Sequence, residues 1–326
     1  RKKLFIVHSY EQNHICGQPQ HDGAIAALKE AGWVEGENLQ VGVYYMDTKR
    51  TNNTPELIEA QARLAEQAIY RFKPDVILTL DDNAFRTVAL PHAGAPEAFV
   101  FSGMNNQPES YDAQTEFMEN RDHPGGNITG VYEKLYIREA IKVLSTMHNI
   151  EKIVYLGDES PTGQAITRQI YLETLPNPKN PMSCTLDRRI LHSWEEFQDT
   201  LAAINRDKTV GGIYLGTLLL TDAKGTAHTA PEIIHYLIAH TQKPTIGLNY
   251  AFIKLGLYGG ATVDFFAMGK LAGIKIARIL EGQRPGNLPI EDAPRIVLVF
   301  NLTRAEAIGL QIPPDILLAA DEVFRK

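Results

Sequence analysis

Short apolar runs alternate with amphipathic stretches from one end of the chain to the other. Leu4–Val7, Val76–Leu80 and Ala98–Ser102 are almost uniformly apolar, and Leu39–Tyr45 is a further strand candidate. Runs of this kind suit strands buried on both faces of a parallel sheet. Between them Ile25, Leu28 and Ala31 recur at helical spacing, and Gly32 sits where a C-cap glycine belongs. Thr54-Pro55-Glu56 supplies an N-cap and a first-turn proline for a second helix. Leu57, Leu64, Ala68 and Phe72 are expected along one side of it. The first hundred residues therefore read βαβαβ, followed by a further crossover and strand.

The rhythm pauses over Asn105–Asn127, a polar stretch rich in Asn, Asp, Glu and Gly with a turn at Pro124-Gly125-Gly126. So long a connection marks a functional loop or a boundary. Beyond it helices are predicted over Leu135–Met147, Gly163–Leu175, Trp194–Asn205 and Pro231–His240. Strands are predicted over Ile153–Leu156, Cys184–Leu191, Gly212–Leu215 and Thr245–Leu248. A last long helix, Phe266–Glu281, is expected to carry Leu271, Ile274 and Leu280 inward. Its Gly269 and Gly273 each cost about 1 kcal/mol against Ala, which points to close packing on a neighbour. A strand over Ile296–Phe300 follows. Two doubly wound α/β series of similar size are thus expected, joined near residue 128.

At 326 residues the chain is long enough for two such lobes, each with its own core. With 32 Lys+Arg against 39 Asp+Glu, and no basic block beyond Arg1-Lys2-Lys3, it is poorly suited to a phosphate backbone. Nucleic acid is therefore not expected as a partner. Two cysteines, Cys16 and Cys184, cannot build a disulfide framework or a four-thiolate zinc site. No run approaches the roughly 18–20 apolar residues of a membrane span. Leu4–His8 already reads as a strand rather than a leader, which leaves a cytoplasmic protein or the mature form of an exported one.

Motifs for catalysis are missing. There is no G-x-S-x-G elbow, and no G-x-G-x-x-G follows the first strand, where His8-Ser9-Tyr10-Glu11 stands instead. Met268-Gly269-Lys270-Leu271 lacks the upstream glycine and the hydroxyl residue of a phosphate-binding loop. His8, His14, Cys16 and His21 cluster, but at no usual metal spacing. No catalytic residue, cofactor or metal is expected. The polar residues that remain stand at the carboxyl ends of strands, where open α/β sheets bind ligands. They are Ser9 and Tyr10; Asp82 and Asn83; Ser102 and Asn105; Ser160 and Thr162; Thr217; and Asn249 with Tyr250. Helix capping would account for many of these equally well.

With these residues in place, the chain resembles the ABC-transporter substrate-binding family that includes tryptophan- and tyrosine-binding members, of the periplasmic-binding-protein type I fold. The similarity runs through Gly23…Leu28…Gly32-Trp33…Gly36-Glu37-Asn38 and Pro124–Val131. It continues through Asp264…Met268–Ile274…Ile279–Pro285, Asn287–Pro289, and Phe300–Leu310 with Ile312-Pro313 and Leu317–Asp321. It is collinear over nearly the whole chain. The chain departs from the family pattern at Asp82-Asn83 and in the longer 105–127 connection.

The resemblance implies two α/β lobes joined by three crossings: 1–127 with 260–284, and 128–259 with 285–326. It implies a cleft closing on one small polar ligand, such as an aromatic amino acid. Delivery would be to a membrane permease, by a monomer working in the periplasm or elsewhere outside the cytoplasm. Within such a cleft Asp82 or Asp264 would accept from an ammonium, and Ser102 or Thr162 would hold a carboxylate. Tyr10, Tyr132, Tyr250 and Phe265 would sandwich an apolar portion, although core packing explains each aromatic as readily. The sensing module of a signalling receptor is the alternative use of this fold.

Overall fold

The computed structural model describes residues 1–294 and 296–325. The chain folds as two compact units and passes between them three times. Unit 1 is Arg1–Lys134 with Phe265–Pro294; unit 2 is Leu135–Asp264 with 296–325.

Unit 1 is built on six parallel strands: β1 Lys2–His8, β2 Leu39–Tyr45, β3 Val76–Leu80, β4 Phe99–Met104, β5 Ile128–Tyr132 and, later in the chain, β13 Glu291–Asp292. Their order is β13-β5-β4-β3-β1-β2. β1 lies between β2 and β3, so successive crossovers leave it in opposite directions. That reversal is the switch point at which a doubly wound sheet opens at its carboxyl edge.

Alternation along β1 sends Phe5 and Val7 to one face, where they join Ile77, Phe99 and Phe101 in one apolar core. Helix α2 (Pro55–Phe72) closes this core with Ile58, Ala62 and Ala65. Leu57 and Leu64 are exposed, contrary to the stripe expected for this helix. The buried stripe runs through Ile58, Ala62 and Ala65, and the two leucines fall outside it.

The two glycines singled out in the late helix are explained by its neighbour. Helix α1 (Gly17–Glu30) packs along α10 (Phe265–Leu280), which also lies on β3, β4 and β5. A Cβ at Gly269 would stand 2.1 Å from the Gln20 carbonyl oxygen, and one at Gly23 would stand 2.1 Å from that of Phe266. Backbones this close exclude any side chain. The buried face of α10 runs through Met268, Gly269, Ala272, Gly273 and Ile276, and Ile274 is exposed rather than inward.

The β3–β4 crossover is not a regular helix. A short α3 (Asp81–Ala84) runs into a π-helical turn at Phe85–Ala89 and a 3₁₀ turn at Leu90–His92. Phe85 there packs edge-on to Phe101, with ring centroids 5.1 Å apart. The polar 105–127 stretch contains a short α4 (Pro108–Asp112) and covers the core with Tyr111, Phe117 and Met118.

Unit 2 repeats the parallel theme. Its strands are β6 Lys152–Asp158, β7 Thr185–Leu191, β8 Gly212–Leu215 and β11 Thr245–Gly247, in the order β11-β8-β6-β7. Its helices are α5 Ile137–His148, α6 Pro161–Glu173, α7 Trp194–Arg206, α8 Ala230–His240 and the short α9 Tyr250–Lys254. A small hairpin, β9 Leu219–Thr221 with β10 Ala227–Thr229, stands beside it. β12 Gly259–Val263 runs antiparallel to β14 Ile296–Asn301, which pairs with β15 Glu322–Phe324.

The units divide at 134/135, 264/265 and 294/295, where the resemblance implied 127/128, 259/260 and 284/285. The shifts follow hydrogen bonding. β5 completes the unit 1 sheet beside β4, and β12 is held in unit 2 by β14.

Candidate functional site

The carboxyl ends of five adjacent strands in unit 1 bring polar side chains together and bury them. Asp81, the first residue after β3, has φ of 69°, a left-handed conformation uncommon outside Gly, Asn and Asp. It turns the chain directly from strand into helix. Its Oδ1 accepts from Gln20 Nε2 of α1 at 3.2 Å, and Gln20 Oε1 in turn accepts from Ser102 Oγ at 2.8 Å. Gly103, at φ 81°, has to be glycine here, since a Cβ would stand 2.7 Å from both Asp81 Oδ1 and Gln20 Oε1.

Asp82 uses both oxygens on the protein itself. Oδ2 accepts from the Asn105 N–H at 2.9 Å, while Oδ1 accepts from the Asn106 N–H at 3.2 Å and the Tyr111 hydroxyl at 2.7 Å. It therefore ties the end of β3 to the loop after β4. Ser9 ties β1 to β3: its Oγ donates to the Leu80 carbonyl at 2.6 Å and accepts from the Ala84 N–H at 2.8 Å. Asn83 donates to Thr48 Oγ1 at 2.9 Å and accepts from Arg86 at 3.2 Å. The Tyr132 hydroxyl accepts from Gln107 Nε2 at 2.7 Å.

Other atoms in the same place are left over. Asp81 Oδ2, Asn105 Oδ1, Glu133 Oε2 and Lys49 Nζ are buried and have no hydrogen-bond partner among the described residues. Lys49 follows β2 and stands 4.0 Å above the centroid of the Tyr10 ring, which packs against His14 at 4.5 Å. Glu133 follows β5 and is 2 % exposed, while Lys49 is 3 % exposed.

Burial dominates the electrostatics. It raises the Asp81 carboxyl from 3.8 to about 7, against the opposing pull of Lys49 and Gln20. It raises Glu133 well above the carboxylate range, reinforced by the like charges of Asp81 and Asp82. Burial also raises Asp82, although its donors pull the other way. His14 is pushed well below its ordinary value by burial and by Lys49, and His8 falls to about 3 through burial and His21. Among the described residues no three His, Cys, Asp or Glu side chains are grouped to hold a metal ion.

In unit 2 the sequence candidates again follow strands. Ser160 caps α6, accepting from the Gly163 N–H at 3.1 Å and donating to Asp158. Asp158, at the end of β6, also accepts from the N–H groups of Leu218 at 2.6 Å and Leu219 at 3.1 Å. Between β8 and those two residues lies Thr217, fully buried, whose Oγ1 has no partner among the described residues. Thr162 is buried in the first turn of α6. Asn249 caps α9 through the Ala251 N–H at 2.8 Å, and Tyr250 opens that helix. Asp264 lies between β12 and α10, at the last position of its segment of unit 2.

Ser9, Tyr10, Asp82, Asn83, Ser102, Asn105 and Tyr132 are thus gathered in unit 1, and several of them brace the backbone. Lys49, Asp81, Glu133 and Gln20 were not singled out by sequence. Asp81 and Glu133 do follow strands directly, which was an available signal, but nothing local marks Lys49 or Gln20.

A family model described as ABC transporter substrate binding protein matches residues 14–324. No curated protein matches the chain. Among solved structures, a conserved domain protein from Vibrio cholerae O1 biovar El Tor is 21 % identical, with a TM-score of 0.74 over 99 % of each chain. An ABC domain from Streptococcus pneumoniae in complex with L-Trp is 16 % identical, with a TM-score of 0.76 over 99 % of this chain and 100 % of that one. A ligand-free, open substrate-binding protein with adhesive properties from Clostridium difficile is 14 % identical, with a TM-score of 0.69 over 100 % of both. Identities this low carry the fold and nothing finer.

Proposed function

The chain belongs to the ABC transporter substrate-binding protein family, and from that premise we propose that it is a solute receptor holding one small polar ligand at the carboxyl ends of its strands. Its family is one of extracytoplasmic solute-binding proteins of the type I periplasmic-binding fold, not enzymes. Such proteins bind small molecules and deliver them to ABC permeases. Among the described residues no helix is long and apolar enough to cross a membrane.

The observation that carries the reading is the set of buried, unpartnered polar atoms at the strand ends. Each such atom costs about 1–3 kcal/mol when nothing meets it. A ligand that meets them relieves that cost, which is a reason to keep them in the fold. On this reading Asn105, Asp81, Glu133, Lys49 and Tyr10 contact the ligand in unit 1. Within unit 2 taken by itself, the strand-end candidates are Thr217, Thr162, Ser160, Asn249, Tyr250 and Asp264. Ser9, Asp82, Asn83 and Ser102 serve as the frame behind the contacts. An aromatic amino acid is the first ligand to try, because the Streptococcus pneumoniae relative holds L-Trp and Tyr10 offers a ring.

Thermal-shift screening against amino acids, nucleosides, sugars and organic acids tests this. A ligand at 100 times its Kd stabilises the fold by about 2.7 kcal/mol. The expected result is a melting shift that disappears in Asn105→Ala and Thr217→Val, both still folded. No shift with any class, and turnover of one compound instead, overturns the receptor reading.

A further inference from the structure

Unit 1 buries three neighbouring carboxyl groups, two of them beside Lys49, and their partners are unequal. Asp82 is answered by two backbone N–H groups and the Tyr111 hydroxyl. Asp81 and Glu133 each keep an oxygen that nothing meets, and Lys49 reaches neither of them with a hydrogen bond. Asp81 and Glu133 directly follow β3 and β5, and Lys49 stands in the loop after β2, so three separate connections of one sheet bring them together. Asp81 is further fixed by its left-handed backbone and by Gln20.

We propose that the ligand is recognised through an organic cation, an ammonium or guanidinium whose N–H groups donate to Asp81 Oδ2 and Glu133 Oε2, and that its arrival displaces a proton held there. The inference rests on the receptor reading above. A buried charge costs several kcal/mol, and Lys49 reaches neither carboxyl with a hydrogen bond, so before the ligand arrives a carboxyl in this place keeps its proton. When the cation enters, a carboxyl O–H bond breaks, the proton leaves to solvent, and the carboxylate formed accepts from the ligand nitrogen. Charge is conserved, since one cation replaces another. No three side chains are grouped as a metal ion needs among the described residues, which leaves N–H donors shared between two carboxylates as the fitting chemistry. Lys49 offers its protons to an acceptor on the same ligand.

The surroundings favour the exchange. Asp81 is faced by Lys49 and Gln20, which burial outweighs, and by Asp82, whose like charge adds to burial; His8, kept uncharged by burial, also lies on its Gly17 side. Glu133 is faced by Asp81, Asp82, Asn105 and Lys49, and the two like charges add to burial. From the β1–α1 segment His14 and Cys16 also adjoin Lys49, and burial keeps both uncharged. Glu11 lies beside Cys16 as a further acid of this segment.

Matched probes separate the possibilities: L-tryptophan against indole-3-lactate, putrescine against butane-1,4-diol, and methylguanidinium against methylurea. The cation of at least one pair is expected to bind at least about tenfold more tightly than its partner, as charge-assisted hydrogen bonds require. Calorimetry in phosphate and in Tris should then count close to one proton released. The association constant should rise about tenfold per pH unit between about pH 5 and 7. Glu133→Gln, which cannot ionise, should lower cation affinity between about 10- and 100-fold and abolish the pH slope. Asp81→Asn should act likewise, and it suits the left-handed position.

Equal binding of cation and neutral partner, or binding without proton release, overturns the cation exchange and leaves the receptor intact. So does a neutral sugar or an organic acid as the sole class that binds. No binding by any class overturns both readings.

Discussion

Asp158 in unit 2 and Asp81 in unit 1 are both buried aspartates at the carboxyl edge of a central parallel strand, yet they differ in what meets them. Asp158 accepts from three backbone N–H groups and the Ser160 hydroxyl, so its loop folds around it. Asp81 has one oxygen on Gln20 and one on nothing. Asp82, the next residue, behaves like Asp158. Burial alone therefore does not mark a ligand contact. A buried carboxylate whose acceptors are all used holds the scaffold, and one with a spare oxygen is available to something from outside.

The sharpest break of this comparison is truncation. Asp158→Ala and Asp82→Ala should each lose about 3–5 kcal/mol, because several buried donors are stranded at once. Denaturant unfolding measures this directly. Asp81→Ala should lose much less, and equal losses at all three positions would erase the distinction.

The next effect depends on pH. Asp81 sits near 7 in the fold against an ordinary 3.8, so the folded chain holds more protons between those values. Its contribution to stability therefore falls as pH rises from about 4 to 7. His8, held down to about 3 against an ordinary 6.5, opposes this, since its contribution is lost as pH falls from about 6.5. The wild-type profile mixes these two with the other shifted groups, Glu133, Asp82 and His14 among them. The difference between Asp81→Asn and wild type isolates the aspartate, and it should grow in the variant's favour between pH 4 and 8 by on the order of 3–4 kcal/mol. A flat difference would show that Asp81 is solvated or already paired.

A smaller loss is expected where the scaffold packs most closely. Gly269→Ala places a methyl 2.1 Å from a backbone oxygen of α1, so the helices must part. Overpacking of about 1–3 kcal/mol is offset by up to about 1 kcal/mol of helix propensity. Thermal melts should show a net loss, and no change would mean that α1 yields easily. The smallest effect is Ser160→Ala, which removes the cap of α6 and its bond to Asp158 and should cost about 1 kcal/mol.

Much of the scaffold is legible in the sequence alone. The apolar runs at Leu4–Val7 and Val76–Leu80, the cap at Thr54 and the paired glycines Gly269 and Gly273 each name a local feature that the fold contains. The faces of two helices were misjudged. Leu57, Leu64 and Ile274 are exposed because the buried stripes run through other positions, Ile58, Ala62 and Ala65 on α2 and Met268, Gly269, Ala272, Gly273 and Ile276 on α10. The candidate site was legible only in outline. Strand ends pointed to Asp82, Asn105 and Thr217, whereas Lys49 and Glu133 are ionisable residues whose usual place is the surface, and nothing near Lys49 in sequence signals otherwise.

What the sequence determined by itself is what short-range chemistry determines: alternating elements, capped helix ends, a doubly wound topology and a collinear family likeness. Whether a carboxylate is satisfied was decided only by the tertiary structure. Gln20, Asp81 and Ser102 are linked across separations of 61 and 82 residues, and Asp158 is satisfied by N–H groups 60 and 61 residues away. Hydrogen bonds act over about 3 Å in space, so the same residue type ends with all its acceptors used or with one to spare according to which distant backbone the fold brings to it.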